Sequence, residues 1–255
     1  MLQLSVELLV LLFVVAVFAG FVDTLAGGGG LITVPSLILA GVPPIMALGT
    51  NKLQGCMGTA TATMMMFRNH KIAWPQVKPL MVTAFFGAML GTLMLQLVSA
   101  DALTFVVPAV LIIIAVYFIF LAHIPLRQHR PRVSGSAYQK AVVPSIGFYD
   151  GFFGPGTGSF FSLAGVSLRG QTLLESTATA KALNFSANAA SLMVFVFAGK
   201  IVWVAGIVMM FGQLIGAWLG AHSLFRIPTN LLRFIIVGVC IAMLIRYALK
   251  MSFFS

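Results

Sequence analysis

The sequence predicts an all-α polytopic membrane protein with about eight transmembrane helices in two homologous four-helix halves, the first helix of each half being broken at a Gly-rich motif. Of the 255 residues, 60% are hydrophobic and 8% are charged, whereas a soluble domain has about 45–50% and about 25%. Several apolar runs reach the roughly 20 residues that span about 30 Å of hydrocarbon. An aspartate followed by glycines occurs twice in the same order, which indicates an internal duplication.

The repeated motif marks the break in each half. Its sequence is GFVDTLAGGGG at residues 20–30 and GFYDGFFGPGTG at residues 147–158, an offset of 127. Unpaired backbone groups in hydrocarbon cost several kcal/mol each, so such a break has to be buried in protein or line a wet cavity. Each break is therefore a candidate site. Downstream the offset becomes 129, and the matched pairs include Lys52 with Lys181, Lys71 with Lys200, and Trp74 with Trp203.

Apolar runs between polar turns place the predicted helices. In the first half they cover residues 5–25, 45–67, 79–98 and 102–122, with a shorter piece at 31–40. In the second half a broken crossing at 141–168 precedes crossings at 172–197, 201–223 and 230–250. The piece at 31–40 is too short to span, so we expect a half-helix or a re-entrant arm. We assign residues 1–122 to the first transmembrane repeat, 123–140 to a basic cytoplasmic linker and 141–255 to the second transmembrane repeat.

Basic residues predict the orientation. With eight crossings, ten Lys and Arg fall on one side, including the 68–78 loop and Lys200, while Arg169, Arg226 and Arg233 fall on the other. By the positive-inside rule both termini are expected to be cytoplasmic. Four crossings in each half give parallel repeats. If the broken pieces do not cross the membrane, the number of crossings changes and the repeats can be inverted, an arrangement common in transporters. The net charge of +10 thus reports orientation, and no nucleic-acid partner is predicted.

Four ionisable residues lie inside predicted membrane helices, namely Asp23, Lys52, Asp150 and Lys181. Such residues are costly in hydrocarbon and functional by default. We expect the lysines, with the helix N-termini that follow the glycines, to form a positive pocket for a small anion. We expect the aspartates to organise the lysines or to carry a coupling ion. Alternatively, the aspartates only cap helix ends and the lysines reach towards the interface. The glycines concerned are Gly28, Gly29, Gly156 and Gly158.

Amide side chains accompany the two lysines. Asn51 and Gln54 lie close to the first lysine, and Asn184 and Asn188 share one helix face with the second. A neutral amide donates to an oxyanion without adding charge, which suits a site that also releases its ligand. Alternatively, these amides form interhelical hydrogen bonds, worth roughly 0.6 kcal/mol on average.

Glycines four residues apart occur in two of the predicted crossings. Small residues at this spacing let helices approach closely, so we assign them to helix packing and to no site. They are Gly87 and Gly91 in one crossing and Gly216 and Gly220 in the other.

No constellation for catalysis, metal binding or cofactor binding forms. The histidines fall at segment ends, and neither His-Glu-x-x-His nor Gly-x-Ser-x-Gly occurs. Cys56 and Cys240 lie in apolar runs without a Cys-x-x-Cys, so no disulfide or zinc site is predicted. We therefore predict no cofactor and no enzyme, with an intramembrane hydrolase using Asp23 and Asp150 kept as an alternative.

Four segments carry a resemblance to a known family. They are GFVDTLAGGGGLITVP (residues 20–35), TNKLQ (50–54), GFYDGFFGPGTGSF (147–160) and AKALN (180–184). They resemble the sulfite exporter TauE/SafE family, also called TSUP, and within it the bacterial YfcA branch of membrane transporter proteins. The resemblance covers essentially the whole chain. It implies a bacterial inner-membrane transporter with two homologous halves, whose characterised members move sulfite, sulfonates or related small organosulfur anions.

We therefore predict a transporter or exporter of a small anion, a sulfur oxyanion or an organosulfonate, as a multi-pass protein of the bacterial inner (plasma) membrane. The expected partners are this anion, membrane lipid, and a proton or sodium ion for coupling. No oligomeric state is predicted. The main alternative is a passive anion channel, which would show neither saturation nor dependence on a coupling ion.

Overall fold

The computed structural model describes residues 4–121 and 130–223, and within these ranges every regular element is a helix. The helices are α1 (Val6–Ala26), α2 (Gly30–Leu39), α3 (Pro44–Arg68), α4 (Trp74–Leu95), α5 (Ala100–Leu121), α6 (Gly135–Ala137), α7 (Val143–Phe152), α8 (Thr157–Arg169), α9 (Leu173–Phe197) and α10 (Trp203–Ser223). A π-helical turn, Tyr138–Val142, joins α6 to α7. The predicted crossing at 230–250, Cys240, Arg127 and the basic residues after position 223 lie outside the described ranges.

Four of the described helices, α1, α4, α9 and α10, are long and apolar enough to cross a membrane. Large hydrophobic side chains are exposed on their outer faces, for example Val10 and Val14 of α1 and Phe86 and Leu90 of α4. An exposed apolar surface of this extent is unusual for a soluble protein and is stable against lipid. The chain is therefore a helical membrane protein, as the sequence predicts, with no strand in residues 4–121 and 130–223.

Most helix boundaries lie within two residues of those predicted, and both predicted breaks at the glycine motifs are confirmed. The exception is α4, which begins at Trp74 and not at position 79. Pro75 lies in the first turn, where a missing N–H costs nothing, and Pro79 lies inside the helix. The helical segment that leads into α7 begins at Gly135, within the 123–140 stretch predicted as linker.

The two 25-residue helices α3 and α9 carry the two lysines and pack against each other in opposite directions. Gly49 near the start of α3 lies against Phe195 near the end of α9, and Gly55 lies against Asn188. The two helices that the sequence predicts to be equivalent are therefore antiparallel. Parallel repeats, which the crossing count predicted, would place these two helices in the same direction, so that prediction is wrong.

Helices α1 and α10 pack side by side in the same direction. A Cβ placed on Gly212 would lie 2.6 Å from Phe13 O, and one on Gly220 would lie 2.8 Å from Phe21 O. The glycines of α4 pack in the same way on the backbone of α7. Each backbone contact requires a residue without a side chain. The packing role predicted for Gly87, Gly91, Gly216 and Gly220 is thus confirmed.

The bundle has two ends, which we name the Lys200 end and the Lys71 end. The loop after Lys200 lies at the start of α3, because Val202 N donates to Thr50 Oγ1 at 3.0 Å. Lys71 lies at the end of α3, where its N–H donates to Met66 O at 2.9 Å. A helix of 25 residues is about 37 Å long at 1.5 Å per residue. The prediction that placed the 68–78 loop and Lys200 on one side is therefore wrong.

Several of the described basic residues gather at the Lys71 end. Arg169 at the end of α8 lines the same cavity as Lys71, and Arg132 N donates to the neighbouring Leu168 O at 2.9 Å. The start of α1 lies at the opposite end, because α1 runs parallel to α10 and α10 begins just after Lys200. The start of α1 and this basic cluster therefore lie at opposite ends of the bundle.

Candidate functional site

Both glycine breaks use backbone conformations that favour glycine. Helix α1 ends at Gly27, whose φ of 78° allows its N–H to donate to Asp23 O at 2.7 Å. Between α7 and α8, Gly154 has a φ of 92° and Gly156 a φ of 82°. Residues with a Cβ rarely adopt such angles. Each glycine run thus ends one helix and starts another within a few residues.

The two breaks are in direct contact. A Cβ on Gly27 would overlap the backbone of Gly158 and Ser159, and one on Gly30 would lie 3.1 Å from Pro155 Cα. Ser159 Oγ also donates a hydrogen bond to Ala26 O. Two helix interruptions far apart in sequence therefore meet at one point, where each shields the exposed backbone groups of the other.

One buried ion pair joins α3 to the second break. Lys52 Nζ lies 2.9 Å from Asp150 Oδ2 and donates to Asp150 O at 2.6 Å. Both side chains are only 2% exposed. Burial of a charge is costly unless it is paired and hydrogen-bonded. Each residue therefore offsets the desolvation cost of the other.

A second ion pair joins α9 to the first break. Lys181 Nζ lies 3.4 Å from Asp23 Oδ2 and also donates to Asp23 O. Asp23 Oδ1 accepts a hydrogen bond from Gly29 N at 3.0 Å, so this carboxylate also caps the start of α2. Asp23 is 16% exposed, more than its counterpart Asp150. The sequence predicted acid–base pairing, and the structure adds that each aspartate pairs with the lysine from the other part of the chain.

A polar cavity of about 30 Å³ lies where the breaks meet. This volume holds about one or two water molecules. The breaks, α3, α9 and α10 all contribute to its wall. The lining residues are Asp23, Gly27, Gly29, Gly30, Asn51, Gly55, Thr59, Asp150, Gly154, Gly156, Thr157, Asn184, Asn188 and Gln213.

Hydrogen bonds orient the amides around this cavity. Asn51 Oδ1 accepts from Thr33 Oγ1 at 2.6 Å and from Gln54 Nε2 at 3.0 Å. Its Nδ2 is thereby turned towards Gly30, another lining residue. On the other side, Asn188 Nδ2 donates to Asn184 Oδ1 at 3.2 Å. The first of these networks presents a hydrogen-bond donor to the cavity, which suits an anionic ligand.

The structure brings together most of the predicted site residues, with one difference. The cavity wall is formed by the aspartates and not by the ammonium groups, since both lysines are turned to their carboxylate partners. A ligand-facing positive pocket therefore stays a prediction. The predicted residues that line the cavity are Asp23, Asp150, Asn51, Asn184, Asn188, Gly29 and Gly156, while Lys52, Lys181, Gln54, Gly28 and Gly158 do not.

Sequence reasoning missed three polar lining residues, Gln213, Thr59 and Thr157, and the glycines Gly27, Gly30, Gly55 and Gly154. Gln213 inserts between α1 and α3, because a Cβ on Gly20 or on Gly58 would lie 2.7 Å from its Oε1. It is the only amide in α10, and a lone amide in an apolar crossing is a signal that could have been used. Thr59 gave no such signal, because a threonine within a helix commonly bonds to the preceding turn, as Thr59 Oγ1 does to Gly55 O at 2.7 Å.

Two carboxylates, several amides and the start of two helices therefore surround a space that excludes lipid. Such a site has the chemistry to bind a small polar ligand, because helix starts and amides offer hydrogen-bond donors. Within residues 4–121 and 130–223, no group of three or more His, Cys, Asp and Glu lies close enough to hold a metal ion.

Comparison with known proteins assigns the family. A profile described as sulfite exporter TauE/SafE matches residues 12–247. The "Probable membrane transporter protein ORF9" of Sinorhizobium sp is 41% identical over 244 residues, which cover 96% of this chain and 94% of the relative. The "Probable membrane transporter protein" of Haemophilus influenzae is 40% identical, with coverage of 92% of both chains. The "Probable membrane transporter protein YfcA" of Escherichia coli K12 is 40% identical, with coverage of 94% and 90%.

No solved structure matches the chain significantly. The family and the names of the relatives indicate a membrane transporter and not an enzyme, so the hydrolase alternative loses its basis. The match over nearly the whole length shows that the chain belongs to the sulfite exporter TauE/SafE family.

Proposed function

We propose that this chain exports a small anion, a sulfur oxyanion or an organosulfonate, across the bacterial inner membrane. The observation that carries the proposal is the reciprocal pairing of two lysines with two aspartates where the glycine breaks meet. Each lysine is held inside the bundle by a carboxylate, and a substrate oxyanion offers a lysine the same chemistry. The family description, which names sulfite export, supports the substrate class.

The chain is organised in this proposal as two inverted repeats, residues 1–122 and 141–255, joined by the basic linker at 123–140. Each repeat supplies one aspartate from its broken helix and one lysine from the next long helix. Helix α2 has 10 residues, about 15 Å, which is half of a membrane crossing. Because α1 and α3 both begin at the Lys200 end, α1 with α2 forms a re-entrant pair in place of a full crossing. This revises the predicted count of eight.

The Lys71 end faces the cytoplasm in this proposal, because described basic residues gather there. The start of the chain then faces the opposite side. This replaces the expectation, based on the crossing count, that the N-terminus is cytoplasmic. The predicted side of the C-terminus concerns residues outside the described ranges.

Transport follows from exchange of partners at the lysines. Protonation of Asp150 removes the charge that Lys52 balances, and the ammonium group then binds the oxyanion in its place. Asn51 donates a further hydrogen bond. The anion leaves when the carboxylate loses its proton and pairs with the lysine again, so anion and proton move together. A cavity of about 30 Å³ is too small for a sulfonate, so the two breaks separate when substrate binds.

The test measures thermal stabilisation of the purified protein by sulfite, thiosulfate, sulfoacetate and taurine, beside phosphate, chloride and acetate. A ligand at about 100 times its dissociation constant adds roughly 2.7 kcal/mol to the folded state. Two variants neutralise one pair each, Lys52→Met/Asp150→Asn and Lys181→Met/Asp23→Asn, so that no unpaired charge stays buried. The matched control is Lys140→Met, which removes an exposed lysine away from the cavity.

We expect one sulfur oxyanion to stabilise the wild type and the Lys140→Met control, and neither neutralised variant. Stabilisation that survives both neutralised pairs would place the site elsewhere. If no sulfur anion stabilises the wild type, the substrate class is wrong. Uptake into liposomes then separates transporter from channel, because a transporter saturates with anion concentration and depends on the imposed proton gradient.

A further inference from the structure

A larger cavity, of about 470 Å³, lies at the Lys71 end. We name it the vestibule. Its wall is formed by the start of α4, the segment before α7, the end of α8 and the first turns of α9. This volume lies in the range of about 300–1,000 Å³ that small-molecule sites occupy. The lining residues that matter here are Lys71, Gln76, Tyr138, Arg169, Glu175 and Thr179.

The charged groups of the vestibule favour a small anion. Two cations, Lys71 and Arg169, and one carboxylate, Glu175, line it. Glu175 Oε2 accepts a hydrogen bond from Thr172 N at 3.0 Å, so this carboxylate also caps the N-terminus of α9. Arg169 Nη1 donates to Val133 O at 2.7 Å, which fixes the guanidinium in the wall while using one of its five N–H donors. The vestibule therefore has a net positive charge and a fixed donor.

Helix α9 contributes to both cavities. Thr179 lines the vestibule, and Asn184 lines the central cavity. Five residues of α-helix correspond to about 7.5 Å. Lys181, which is paired with Asp23, lies between these two positions on α9. The vestibule and the candidate site are therefore lined by neighbouring turns of one helix.

The corresponding place at the Lys200 end is filled. With the offset of 129, Thr50 is the counterpart of Thr179, and the loop around Lys200 is the counterpart of the loop at the vestibule. Thr50 Oγ1 accepts a hydrogen bond from Val202 N at 3.0 Å. A Cβ on Gly49 would overlap Lys200 O, so the loop rests directly on the backbone of α3. The two equivalent positions thus differ. The Lys71 end has an open cavity, whereas the Lys200 end has a closed contact between the loop and α3.

We propose that the vestibule is the cytoplasmic entrance of the transporter, that it holds a small oxyanion between Lys71 and Arg169, and that the contact at Thr50 is its closed counterpart. The two ends then open in alternation, and the structure is the state that is open at the Lys71 end. This inference rests on the proposed function, since the anion in the vestibule is the transported one. Opening the Lys200 end requires the loop to leave Gly49 and Thr50.

Thiol labelling tests the two ends separately. In a background with Cys56→Ala and Cys240→Ala, single cysteines replace Thr179 and Thr50. Each protein is exposed to a membrane-impermeant maleimide in right-side-out and in inverted membrane vesicles. We expect Thr179→Cys to react from the cytoplasmic side and Thr50→Cys to stay unreactive from both sides. This comparison needs no ligand, so it is decided independently of the proposed function.

A third variant tests alternation. Gly49→Ala adds a methyl group that the contact with Lys200 O does not accommodate. We expect it to make Thr50→Cys reactive from the outside and to slow the labelling of Thr179→Cys. If the first change occurs without the second, the two ends are not coupled and alternation is wrong. An unreactive Thr179→Cys overturns the entrance at the Lys71 end. A Thr50→Cys that reacts equally with and without Gly49→Ala overturns the closed contact at the Lys200 end.

Protection from labelling tests the anion. Sulfoacetate should slow the labelling of Thr179→Cys, and the half-protecting concentration should rise about tenfold in Lys71→Gln and in Arg169→Gln, the loss expected for one charge-assisted hydrogen bond. The control Lys140→Gln removes an exposed lysine that does not line the vestibule. An equal rise in the control, or no protection by any sulfur oxyanion that the protein transports, overturns binding in the vestibule.

Discussion

Removal of Lys52 should destabilise the protein more than removal of Lys181, although both form the same kind of pair. At an effective dielectric constant of about 20, charges 2.9 Å apart attract by about 6 kcal/mol and charges 3.4 Å apart by about 5 kcal/mol. The larger difference lies in the solvent exposure and hydrogen bonding that each carboxylate retains once its lysine is removed. Asp150 is 2% exposed, whereas Asp23 is 16% exposed and still accepts from Gly29 N.

Loss of one partner of a buried pair costs about 3–5 kcal/mol, because the other charge stays buried and unpaired. We therefore expect Lys52→Met to lower the free energy of unfolding by about 4 kcal/mol. For Lys181→Met we expect about 2 kcal/mol, since Asp23 keeps a hydrogen bond and contact with the cavity. Adding Asp150→Asn to Lys52→Met should recover most of the loss, because no charge then remains.

Denaturant unfolding in detergent micelles, followed by tryptophan fluorescence, measures these free energies. A double-mutant cycle on Lys52 and Asp150 isolates their interaction. Equal losses for the two single variants would show that exposure of the carboxylate does not set the cost. A double variant as unstable as Lys52→Met alone would refute the explanation by unpaired charge and would indicate lost packing instead.

Three further outcomes are expected. Gly91→Ala should cost about 1–3 kcal/mol of stability by overpacking, because its Cβ would overlap Phe148 O. Gly55→Ala, whose Cβ meets Asn188 Nδ2 at 3.6 Å, should not lower the denaturation midpoint, because the site has room and alanine favours a helix. Asp150→Asn removes the carboxylate whose protonation releases Lys52, so anion uptake into liposomes should lose its dependence on a proton gradient. An unchanged dependence would exclude Asp150 as the proton carrier. Thr172→Ala removes the cap of α9 and should lower the stability by about 1 kcal/mol, which Thr172→Ser should restore.

Local sequence patterns predicted the helices because each pattern acts within one or two turns. Apolar runs of membrane length, the glycine breaks and the packing glycines all appear in the structure at the predicted positions. The main boundary error is at α4. The prediction started this helix at Pro79, but Pro75 already lies in its first turn, where proline is favoured. The prediction that the 68–78 loop and Lys200 lie on one side failed for a different reason, since counting crossings requires knowing which broken pieces turn back.

The four ionisable residues and the amides around them were determined by the sequence alone, because charge in an apolar segment stands out whatever the fold. Only the tertiary structure decided their partners, since the pairs Lys52–Asp150 and Lys181–Asp23 join residues 98 and 158 positions apart. It also decided that α3 and α9 are antiparallel and that the carboxylates line the cavity. Sequence patterns act along the chain, whereas pairing across a bundle depends on how distant helices pack against each other.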